Sequence, residues 1–334
     1  MKKIVSLILC VVMAFACAIP AFAAGANTGG SFGAYDRVFI VGIDGAGRFI
    51  KDVETPNFDR IFADGAVDYT ARAETITTSA QNWGSILTGV SYMKHGMTNE
   101  STGANERASD TQFPSIYTYV RKAYPEAALA GFGNWPNINH GIIENDIDVY
   151  KDNVGSDEGS AQMVSDYLDA GNAPKLLFVQ LDNVDHAGHS HGSKSDEYFT
   201  AIKEADANLG TIYDAAERNG LLENALFIVV ADHGHTMKGG HGGPTMRETN
   251  VTLAVKGKTV VKGGKMDSQT RNRDVAAIAL YALGVERPEH MSARIPAKLF
   301  EGVRGEARPF LNDPDDAILS ALAWIVTLIT GIAG

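Results

Sequence analysis

Cysteine is nearly absent from this chain of 334 residues, and the two that occur, Cys10 and Cys17, both lie near its start. The rest of the chain therefore cannot form a disulfide bond within itself. Positive charge is also scarce, because 29 lysines and arginines face 40 aspartates and glutamates, which gives a formal net charge of −11. Since an acidic surface repels phosphate backbones, this balance excludes binding to DNA or RNA polymers.

The first residues have the pattern of an export signal. Lys2 and Lys3 form a positive start, residues 4–20 form an apolar run, and the Ala-Phe-Ala sequence at 21–23 supplies the small residues that signal peptidase recognises. We expect residues 1–23 to be removed on export, which would leave the protein extracellular, periplasmic or membrane-associated. The glycine-rich residues 24–35 that follow are typical of a flexible linker.

A second apolar stretch ends the chain. Residues 317–334 carry no charge, and about 18 apolar residues is the lower limit for spanning a bilayer. The acidic flank at 312–316 suits the start of a helix in either case. The stretch is either a membrane anchor, which would give the protein a membrane contact, or a helix packed on the folded domain.

The body between these ends alternates short apolar runs with longer amphipathic stretches. Continuous apolar runs predict buried strands at 37–43, 175–181, 225–231 and 251–255. Helical spacing occurs at 55–65, 113–123, 159–170, 195–219 and 272–283. Buried strands separated by helices are typical of a mostly parallel sheet that is covered on both faces. We therefore predict one α/β domain over residues 36–310.

An aspartate follows each of the three best-defined strands: Asp44, Asp182 and Asp232. Ligands of open α/β sheets bind beyond the carboxyl ends of the strands, so we expect these side chains to meet at one edge. Further metal-ligand types follow close behind in the chain: Asp185, His189, His233 and His241. Several carboxylates in one place repel one another unless a cation neutralises them, so the pattern predicts a metal site.

The ligand types indicate which ions are expected. Aspartate and neutral histidine suit Zn²⁺, while Mn²⁺ and iron accept the same residues. Because the supply of ligands exceeds what one tetrahedral ion needs, we expect two divalent ions, which can clamp the attacking and leaving oxygens of a displacement. Asp185 and His189 are four residues apart, and we expect Gly188 to allow a tight turn between them.

A segment rich in hydroxyl groups, at residues 75–89, precedes a run with helical character. Thr78 or Ser79 at the start of that helix would lie beside backbone N–H groups that favour phosphate. A bound metal can activate such a hydroxyl without a histidine base. The alternative is that these residues only cap the helix.

In their order along the chain, these blocks resemble the alkaline phosphatase superfamily, and most closely its type I phosphodiesterase/nucleotide pyrophosphatase branch. The resemblance covers about residues 37–285. It depends on V-G-I-D-G at 41–45, T-P-N-F-D-R at 55–60, L-T-G at 87–89, H-G-M at 95–97, D-H-A-G-H at 185–189, A-D-H-G-H at 231–235 and G-H-G-G at 240–243. The resemblance implies a three-layer αβα sandwich with a mostly parallel central sheet.

The resemblance also implies which residues form the site. One ion would be held by Asp44, Ser79, Asp232 and His233, and the other by Asp185, His189 and His241. Ser79 lies ten residues before Gly89, as the family's nucleophile does, which favours it over Thr78, although the family's commoner T-x-P-N reads S-A-Q-N here. Asn99 resembles the asparagine that steadies a phosphoryl oxygen in the pyrophosphatases.

The resulting hypothesis is an exported, metal-dependent hydrolase of small phosphate esters, either diesters and pyrophosphates or monoesters. Ser79 would attack phosphorus and form a phosphoseryl or nucleotidyl intermediate that water then cleaves. An alkaline phosphatase-type monoesterase is one alternative. A sulfatase is another, although residues 75–85 lack the C/S-x-P-x-R pattern of sulfatases. The non-enzymatic alternative is a catalytically weak, metal-bound surface protein that binds glycans or a partner.

Several neighbouring residues receive no catalytic role from the sequence. His235 has no predicted role, and Asp182 either orients a ligand or ends its strand. The remaining aromatic candidates are expected to pack in the core: Trp83, Phe132 and Trp135. The remaining histidines are expected to be surface or hydrogen-bonded residues: His95, His140, His186 and His191.

Overall fold

The structure is a computed structural model that describes residues 30–306 of the chain. The predicted signal peptide at 1–23, most of the predicted linker, and the apolar stretch at 317–334 lie outside the described residues. No helix within the described range is both long and apolar enough to cross a membrane.

The last residues of the predicted linker belong to the folded body. Ser31 and Tyr35 are buried, and Phe32 packs against the core. The hydroxyl groups of Tyr35 and Thr259 share a hydrogen bond of 2.8 Å. The body therefore begins before residue 36, because two aromatic rings in this glycine-rich segment have apolar surface to bury.

A seven-stranded sheet forms the centre of the molecule. Its strands are β1 (Arg37–Ile43), β2 (Ala66–Arg72), β3 (Leu129–Gly133), β4 (Tyr150–Asn153), β5 (Leu176–Leu181), β6 (Ala225–Val230) and β7 (Asn250–Lys256). They lie in the order β2-β7-β6-β1-β5-β3-β4. The five strands from β6 to β4 are parallel, and β7 is antiparallel to both of its neighbours. The predicted α/β fold with a mostly parallel sheet is confirmed.

Helices cover the sheet. They are α1 (Pro56–Phe62), α2 (Ser79–Thr88), α3 (Tyr92–His95), α4 (Asn99–Ala104), α5 (Ile116–Ala123), α6 (Asp157–Asp169), α7 (Asn183–His191), α8 (Asp196–Arg218), α9 (Met246–Thr249) and α10 (Asp274–Ala282). A 3-10 turn at Phe49–Asp52 and a π-helical turn at Ile138–Ile142 complete the set. Helix α8 packs against α1, α6 and α7, whereas α10 packs against α2 and α5. Strands β1, β5 and β6 are buried along almost their whole length, as a sheet covered on both faces requires.

The predicted helices and strands agree with the structure to within a few residues, but the short helices α3, α4 and α9 were not predicted. The sequence did not predict β2, β3 and β4, which are short or carry polar residues. Helix α5 begins at residue 116 rather than 113, because Ser115 caps it by accepting a hydrogen bond from the N–H of Tyr117. The tight turn predicted around Gly188 is wrong, because Asn183–His191 forms the continuous helix α7.

Three neighbouring parallel strands bring their following residues to one edge of the sheet. Strand β1 pairs with β5 on one side, where Ile43 lies beside Leu181. On its other side β1 pairs with β6, where Gly42 lies beside Val230. The segments that follow all three strands consequently emerge together, which is the position expected for a ligand site in such a sheet.

Gly42 in β1 lets α2 approach this edge closely. A Cβ atom at residue 42 would lie 2.4 Å from the indole ring of Trp83, which is fully buried in α2. The ring therefore rests directly on the strand backbone, and its Nε1 atom donates a hydrogen bond of 2.7 Å to Asp44. This contact fixes α2, and with it Ser79, beside the carboxyl end of β1.

Candidate metal centre and active site

Three oxygen atoms surround Nε2 of His233 at the carboxyl edge of the sheet. Asp44 Oδ1 lies 3.5 Å away, Asp232 Oδ2 lies 3.2 Å away, and Ser79 Oγ lies 3.2 Å away. Asp44 follows β1, Asp232 and His233 follow β6, and Ser79 is the first residue of α2. The four residues predicted to hold one ion are therefore brought together from three separate parts of the chain.

Each of the two carboxylates here has one oxygen bonded and one without a donor. Asp44 Oδ2 accepts hydrogen bonds from Trp83 and from Gln180 Nε2 (3.0 Å). Asp232 Oδ1 accepts them from the backbone N–H groups of Gly45 (3.0 Å) and His233 (2.7 Å). The remaining oxygens, Asp44 Oδ1 and Asp232 Oδ2, are buried and have no hydrogen-bond partner. Buried oxygens without a donor are costly, so this pair calls for a proton or a cation.

The electrostatics of the pair favour a cation. Burial, reinforced by the charges of Asp232 and Asp185, raises the pKa of Asp44 well above its usual value. Burial likewise raises the pKa of Asp232 well above the usual carboxyl value. Without an ion the two groups coexist only by keeping a proton, whereas a divalent cation satisfies both bare oxygens as anions. The donor set, two carboxylates, an imidazole and a hydroxyl, fits such an ion.

A second cluster lies immediately beside the first. His189 Nε2 is 3.4 Å from Asp185 Oδ2, and His241 Nε2 is 3.4 Å from Asp185 Oδ1. The Nε2 atoms of His189 and His241 are 3.0 Å apart. The rings of His233 and His241 stack, with their centroids 3.8 Å apart, which joins the two clusters. The structure therefore brings together all seven residues that the sequence predicted as metal ligands.

Helix α7 brings the side chains of Asp185 and His189 beside each other, which the predicted turn would not do. Residues four apart lie on the same face of a helix, one turn above the other. Burial raises the pKa of Asp185, but its hydrogen bond to His235 and the neighbouring histidines outweigh burial and hold it below the usual carboxyl value. Asp185 is thus anionic in the folded protein, as a metal ligand must be.

Backbone carbonyls orient two of the candidate ligand histidines. His241 Nδ1 donates to the carbonyl oxygen of Thr77, and His233 Nδ1 lies 3.3 Å from the carbonyl oxygen of Gly234. Donation from Nδ1 leaves Nε2 with a lone pair that points into the cluster, which is the usual arrangement for a metal-binding imidazole. Burial lowers the pKa of both rings, well below the usual value in His233, so both are neutral.

The loop that carries His241 is tied to the segment before α2. The N–H of Gly242 donates to Thr77 Oγ1 (2.8 Å), and that hydroxyl donates to the carbonyl oxygen of Gly243 (2.8 Å). Glu248 in α9 accepts from the N–H of Gly243 (2.7 Å). Because residue 77 lies two positions before Ser79, the same bonds position the second cluster relative to the candidate nucleophile.

The structure separates the two candidate nucleophiles, Thr78 and Ser79. Ser79 Oγ lies beside His233 Nε2 and lines the cavity of the site. The Thr78 hydroxyl instead contacts the side chain of Gln81 in its own helix. Residue 78 has the extended backbone of a helix N-cap, whereas residue 79 is the first helical residue. Ser79 is consequently the hydroxyl that faces the cluster.

Asn99 lies across the cavity from the clusters. Its Oδ1 atom accepts a hydrogen bond of 2.9 Å from the N–H of Ala80, which follows the candidate nucleophile. The side-chain amide is left as a donor beside Ser79. The cavity has a volume of about 120 Å³ and is lined by Ser79, Asn99, Trp135, Asp182, Asp185, His186, His189 and His241.

Three residues that the sequence left without a catalytic role also line this cavity: Asp182, His186 and Trp135. Asp182 Oδ2 lies 3.1 Å from Nε2 of His186, and its Oδ1 atom accepts from Gln180 (2.7 Å). Trp135 forms part of the wall, whereas Trp83 and Phe132 are fully buried in the core. His95 is hydrogen-bonded, as predicted, and burial lowers its pKa to about 3.

Sequence reasoning missed Gln180, whose side chain links several parts of the site. Its amide nitrogen donates to both Asp44 and Asp182, and its oxygen accepts from the N–H of Trp135 (2.9 Å). The signal was a single polar residue inside the otherwise apolar run 175–181, since a fully buried amide needs partners on both of its ends.

A mostly parallel α/β fold with a serine at a helix N-terminus beside two Asp/His clusters is the arrangement that the resemblance to the alkaline phosphatase superfamily implies. The structures of two proteins from that superfamily match this chain. Murine ectonucleotide pyrophosphatase/phosphodiesterase 5 superposes with a TM-score of 0.61 at 15% identity, over 76% of this chain and 96% of that one. A 2-O GAG sulfatase superposes with a TM-score of 0.59 at 11% identity, over 77% of this chain and 72% of that one. The predicted fold class is thereby confirmed.

The chain belongs to the type I phosphodiesterase / nucleotide pyrophosphatase family, whose sequence model matches residues 38–239. This result confirms the resemblance and the predicted enzyme class, a phosphoric ester hydrolase. Curated relatives include the human bis(5'-adenosyl)-triphosphatase ENPP4, which is 23% identical over 217 residues, or 60% of this chain and 48% of that protein. Another is GPI ethanolamine phosphate transferase 1 of Saccharomyces cerevisiae, 26% identical over 162 residues, or 43% of this chain and 18% of that protein. The chain spans less than half the length of these curated relatives.

Proposed function

We propose that this chain is a metal-dependent phosphodiesterase that uses Ser79 as its nucleophile. The observation that carries the proposal is the position of the Ser79 hydroxyl, 3.2 Å from His233 Nε2 and in one cavity with Asp185, His189 and His241. When bound, divalent ions would lower the pKa of the hydroxyl and stabilise charge on the phosphoryl and leaving oxygens. The Asp/His clusters described above are the residues that would hold them, and zinc fits the donor set.

The chain's own residues supply positioning. Ser79 at the start of α2 presents its Oγ atom to a phosphorus atom in the cavity, and the first turn of a helix is favourable for an anion. Attack would form a bond from Oγ to phosphorus and break the bond to the first alcohol, which leaves with the proton of the serine hydroxyl. The resulting phosphoseryl group still carries the second alcohol as an ester. Water would then cleave its bond to Oγ, release a phosphate monoester and restore the hydroxyl. Asn99 would donate its amide to an oxygen of phosphorus during both steps.

The charge of the cavity favours a diester over a monoester. Around neutral pH a phosphate monoester carries close to two negative charges, whereas a diester carries one. Among the described residues that line the cavity none is lysine or arginine, and one of them, Asp182, is an additional carboxylate. The walls therefore offer no side-chain cation for the extra charge of a monoester. A murine relative was solved in complex with AMP, which supports a small phosphate ester as the ligand.

A panel of esters tests this proposal on protein whose metal content has been measured. We expect bis-p-nitrophenyl phosphate and p-nitrophenyl thymidine monophosphate to be cleaved with a kcat/KM at least about tenfold above that of p-nitrophenyl phosphate. p-Nitrophenyl sulfate serves as the control for a sulfatase. Faster cleavage of the monoester would replace the proposal with a phosphatase. No turnover of any ester by metal-loaded protein would leave the non-enzymatic alternative.

Asn99→Ala is expected to lower kcat/KM for the diester by about 10²-fold, because it removes one donor to the phosphoryl oxygen. The variant should bind the same amount of metal as the parent, since Asn99 contacts no residue of either cluster. Asn105→Ala is a matched control, because Asn105 lies in the segment after α4 and its side chain bonds only to Ser101. Equal activity of the Asn99 variant and the parent would remove Asn99 from the mechanism.

The same intermediate would also allow transfer of the phosphoryl group to an alcohol instead of to water. The yeast relative is named as a GPI ethanolamine phosphate transferase. Water and an alcohol compete for one phosphoseryl group, so only the acceptor differs. Addition of ethanolamine or glycerol to the diester assay distinguishes the two, because a transferase would form a new diester in preference to the monoester that hydrolysis releases. Export through residues 1–23 completes the proposal, and processing at that site is checked by the N-terminal sequence of the secreted protein.

A further inference from the structure

His235 is a fully buried histidine beside the second cluster, and it differs from its neighbours in how it is bonded. Its Nε2 atom lies 2.8 Å from Asp185 Oδ1, the shortest contact that Asp185 makes with any of the surrounding histidines. His233 and His241 have Nδ1 beside backbone carbonyls and turn Nε2 toward Ser79 and His189. His235 instead turns Nε2 toward Asp185 of the second cluster, and its Nδ1 atom has no backbone carbonyl as a partner.

Two glycines make room for the His235 ring. A Cβ atom at Gly188 would lie 2.4 Å from the ring, and one at Gly45 would lie 2.8 Å from its Nε2 atom. Gly188 belongs to α7, so its missing side chain lets the helix lie directly on the imidazole. Tyr198 of α8 borders the ring on another side, with centroids 6.1 Å apart. Three separate segments therefore form the space that the imidazole ring of His235 occupies.

The other ring nitrogen shows that packing alone does not account for this residue. His235 Nδ1 is buried and has no hydrogen-bond partner among the described residues. An apolar side chain of similar size would fill the same space without leaving a polar atom unsatisfied. The hydrogen bond at Nε2 is therefore the interaction that favours an imidazole over an apolar side chain at position 235.

We propose that His235 is a positioning residue that holds Asp185 for the second metal ion by donating its Nε2 proton to Oδ1. This bond occupies one carboxylate oxygen and leaves Oδ2, the atom nearest His189, to face the ion. Hydrogen bonds to ligating carboxylates fix their orientation and strengthen metal binding. The proposal rests on the proposed function, because it assumes that Asp185, His189 and His241 bind a metal.

The test measures zinc affinity rather than turnover. In the full chain, His235→Ala should weaken binding of one of two zinc ions by about 10- to 100-fold and leave the other unchanged. Binding is measured by competition with a chromophoric chelator, and stoichiometry by elemental analysis. His235→Gln retains an N–H donor and should recover part of the lost affinity. His191→Ala is the matched control, since His191 is an exposed histidine at the end of α7.

A second variant displaces the ring without changing its chemistry. Gly188→Ala puts a methyl group against His235 while α7 keeps a residue that favours helices. It should weaken binding of the same zinc ion. In a chain that already has alanine at position 235 it should cause no further loss of zinc affinity, because the space that the ring filled is then free. This non-additivity is specific to contact between the two positions. Melting curves of the chelated variants show whether each is folded.

The outcomes separate this inference from the proposed function. If the parent protein binds no zinc and cleaves no ester, the proposed function fails first. If the parent binds two ions and His235→Ala binds them equally well, only the positioning role is overturned. If His235→Gln loses the ion as completely as His235→Ala does, His235 is itself a ligand rather than a donor to Asp185, and the proposal is again wrong.

Discussion

Ser79→Ala is expected to abolish diester hydrolysis, with kcat falling by at least about 10³-fold. Among the described residues that line the cavity, Ser79 alone carries a hydroxyl, and loss of a nucleophile leaves only the contribution of the remaining site. The residue is mostly buried and begins a helix, so alanine should fit there without unfolding the protein. Release of p-nitrophenol from bis-p-nitrophenyl phosphate measures the effect directly.

Thr78→Val provides the matched control for that experiment. Valine has the shape of threonine without its hydroxyl, and the Thr78 hydroxyl contacts only Gln81 in the structure. We expect the control to keep its activity within a few-fold of the parent. Mass spectrometry of acid-quenched parent enzyme should detect a phosphorylated peptide that includes residue 79. Loss of activity in Thr78→Val together with full activity in Ser79→Ala would show that the neighbouring residue is the nucleophile.

Removal of metal is expected to eliminate activity and to lower stability, and the loss of stability should grow as the pH rises. The melting temperatures of chelated and zinc-loaded protein should differ little near pH 6 and increasingly above it. Two causes act together. Metal ligands bind more strongly when deprotonated, so zinc stabilises the folded state more at high pH. The second cause is the carboxyl pair Asp44 and Asp232 in the metal-free protein.

The sign of the second cause follows from the pKa shifts. Burial raises the pKa of Asp44 and Asp232, so their contribution to folding is present below the usual carboxyl pKa and is lost as pH rises through the folded values. Burial lowers the pKa of His233 and His241, so their contribution is present above about pH 6.5 and is lost as pH falls below it. The two trends oppose each other in mildly acidic solution.

Between about pH 6.5 and 8 the histidines no longer differ between the folded and unfolded states, and the loss from the carboxyl pair continues. Burial lowers the pKa of Lys151 to about 8, so above that pH this lysine adds stability and opposes the trend. Each carboxyl that still holds a proton lowers the free energy of unfolding by about 1.4 kcal/mol per pH unit. Urea unfolding of chelated protein at several pH values in this window measures the slope, and Asp44→Asn should reduce it by the contribution of one proton. A stability of the chelated parent that is constant or rises between about pH 6.5 and 8 would contradict the assignment.

The parts of this molecule that were predictable from sequence are those that a regular pattern encodes. Strands β1, β5 and β6 are continuous apolar runs, and parallel strands bring their ends to one edge, so the meeting of Asp44, Asp182 and Asp232 followed from strand geometry. Strands β2 and β4 carry charged residues, because they are partly exposed edge strands, and their composition resembles that of a loop.

The parts that were not predictable depend on contacts between distant residues. Nothing local to Gly188 distinguishes a helix from a turn, since glycine accepts both, and only the imidazole of His235 beneath it explains why a helix needs glycine there. Gln180 and Trp83 bond to Asp44 from different segments, so their roles emerge only when the chain is folded. The spacing to Gly89 already favoured Ser79 over Thr78, but the directions in which the two hydroxyls point are seen only in the folded chain.

The seat of Trp83 on Gly42 has a consequence for how this enzyme could change over time. Residue 42 carries no reactive group. The indole ring of Trp83 lies directly on it, however, and so sets the distance between the sheet and α2, which carries the proposed nucleophile. A methyl group added at that position would lift α2 and misalign the attacking oxygen while every reacting side chain stayed in place. Substitution of Gly42, which takes no part in the chemistry, would therefore be as damaging as loss of a ligand. A larger residue at position 42 would be tolerated only together with a smaller one in place of Trp83.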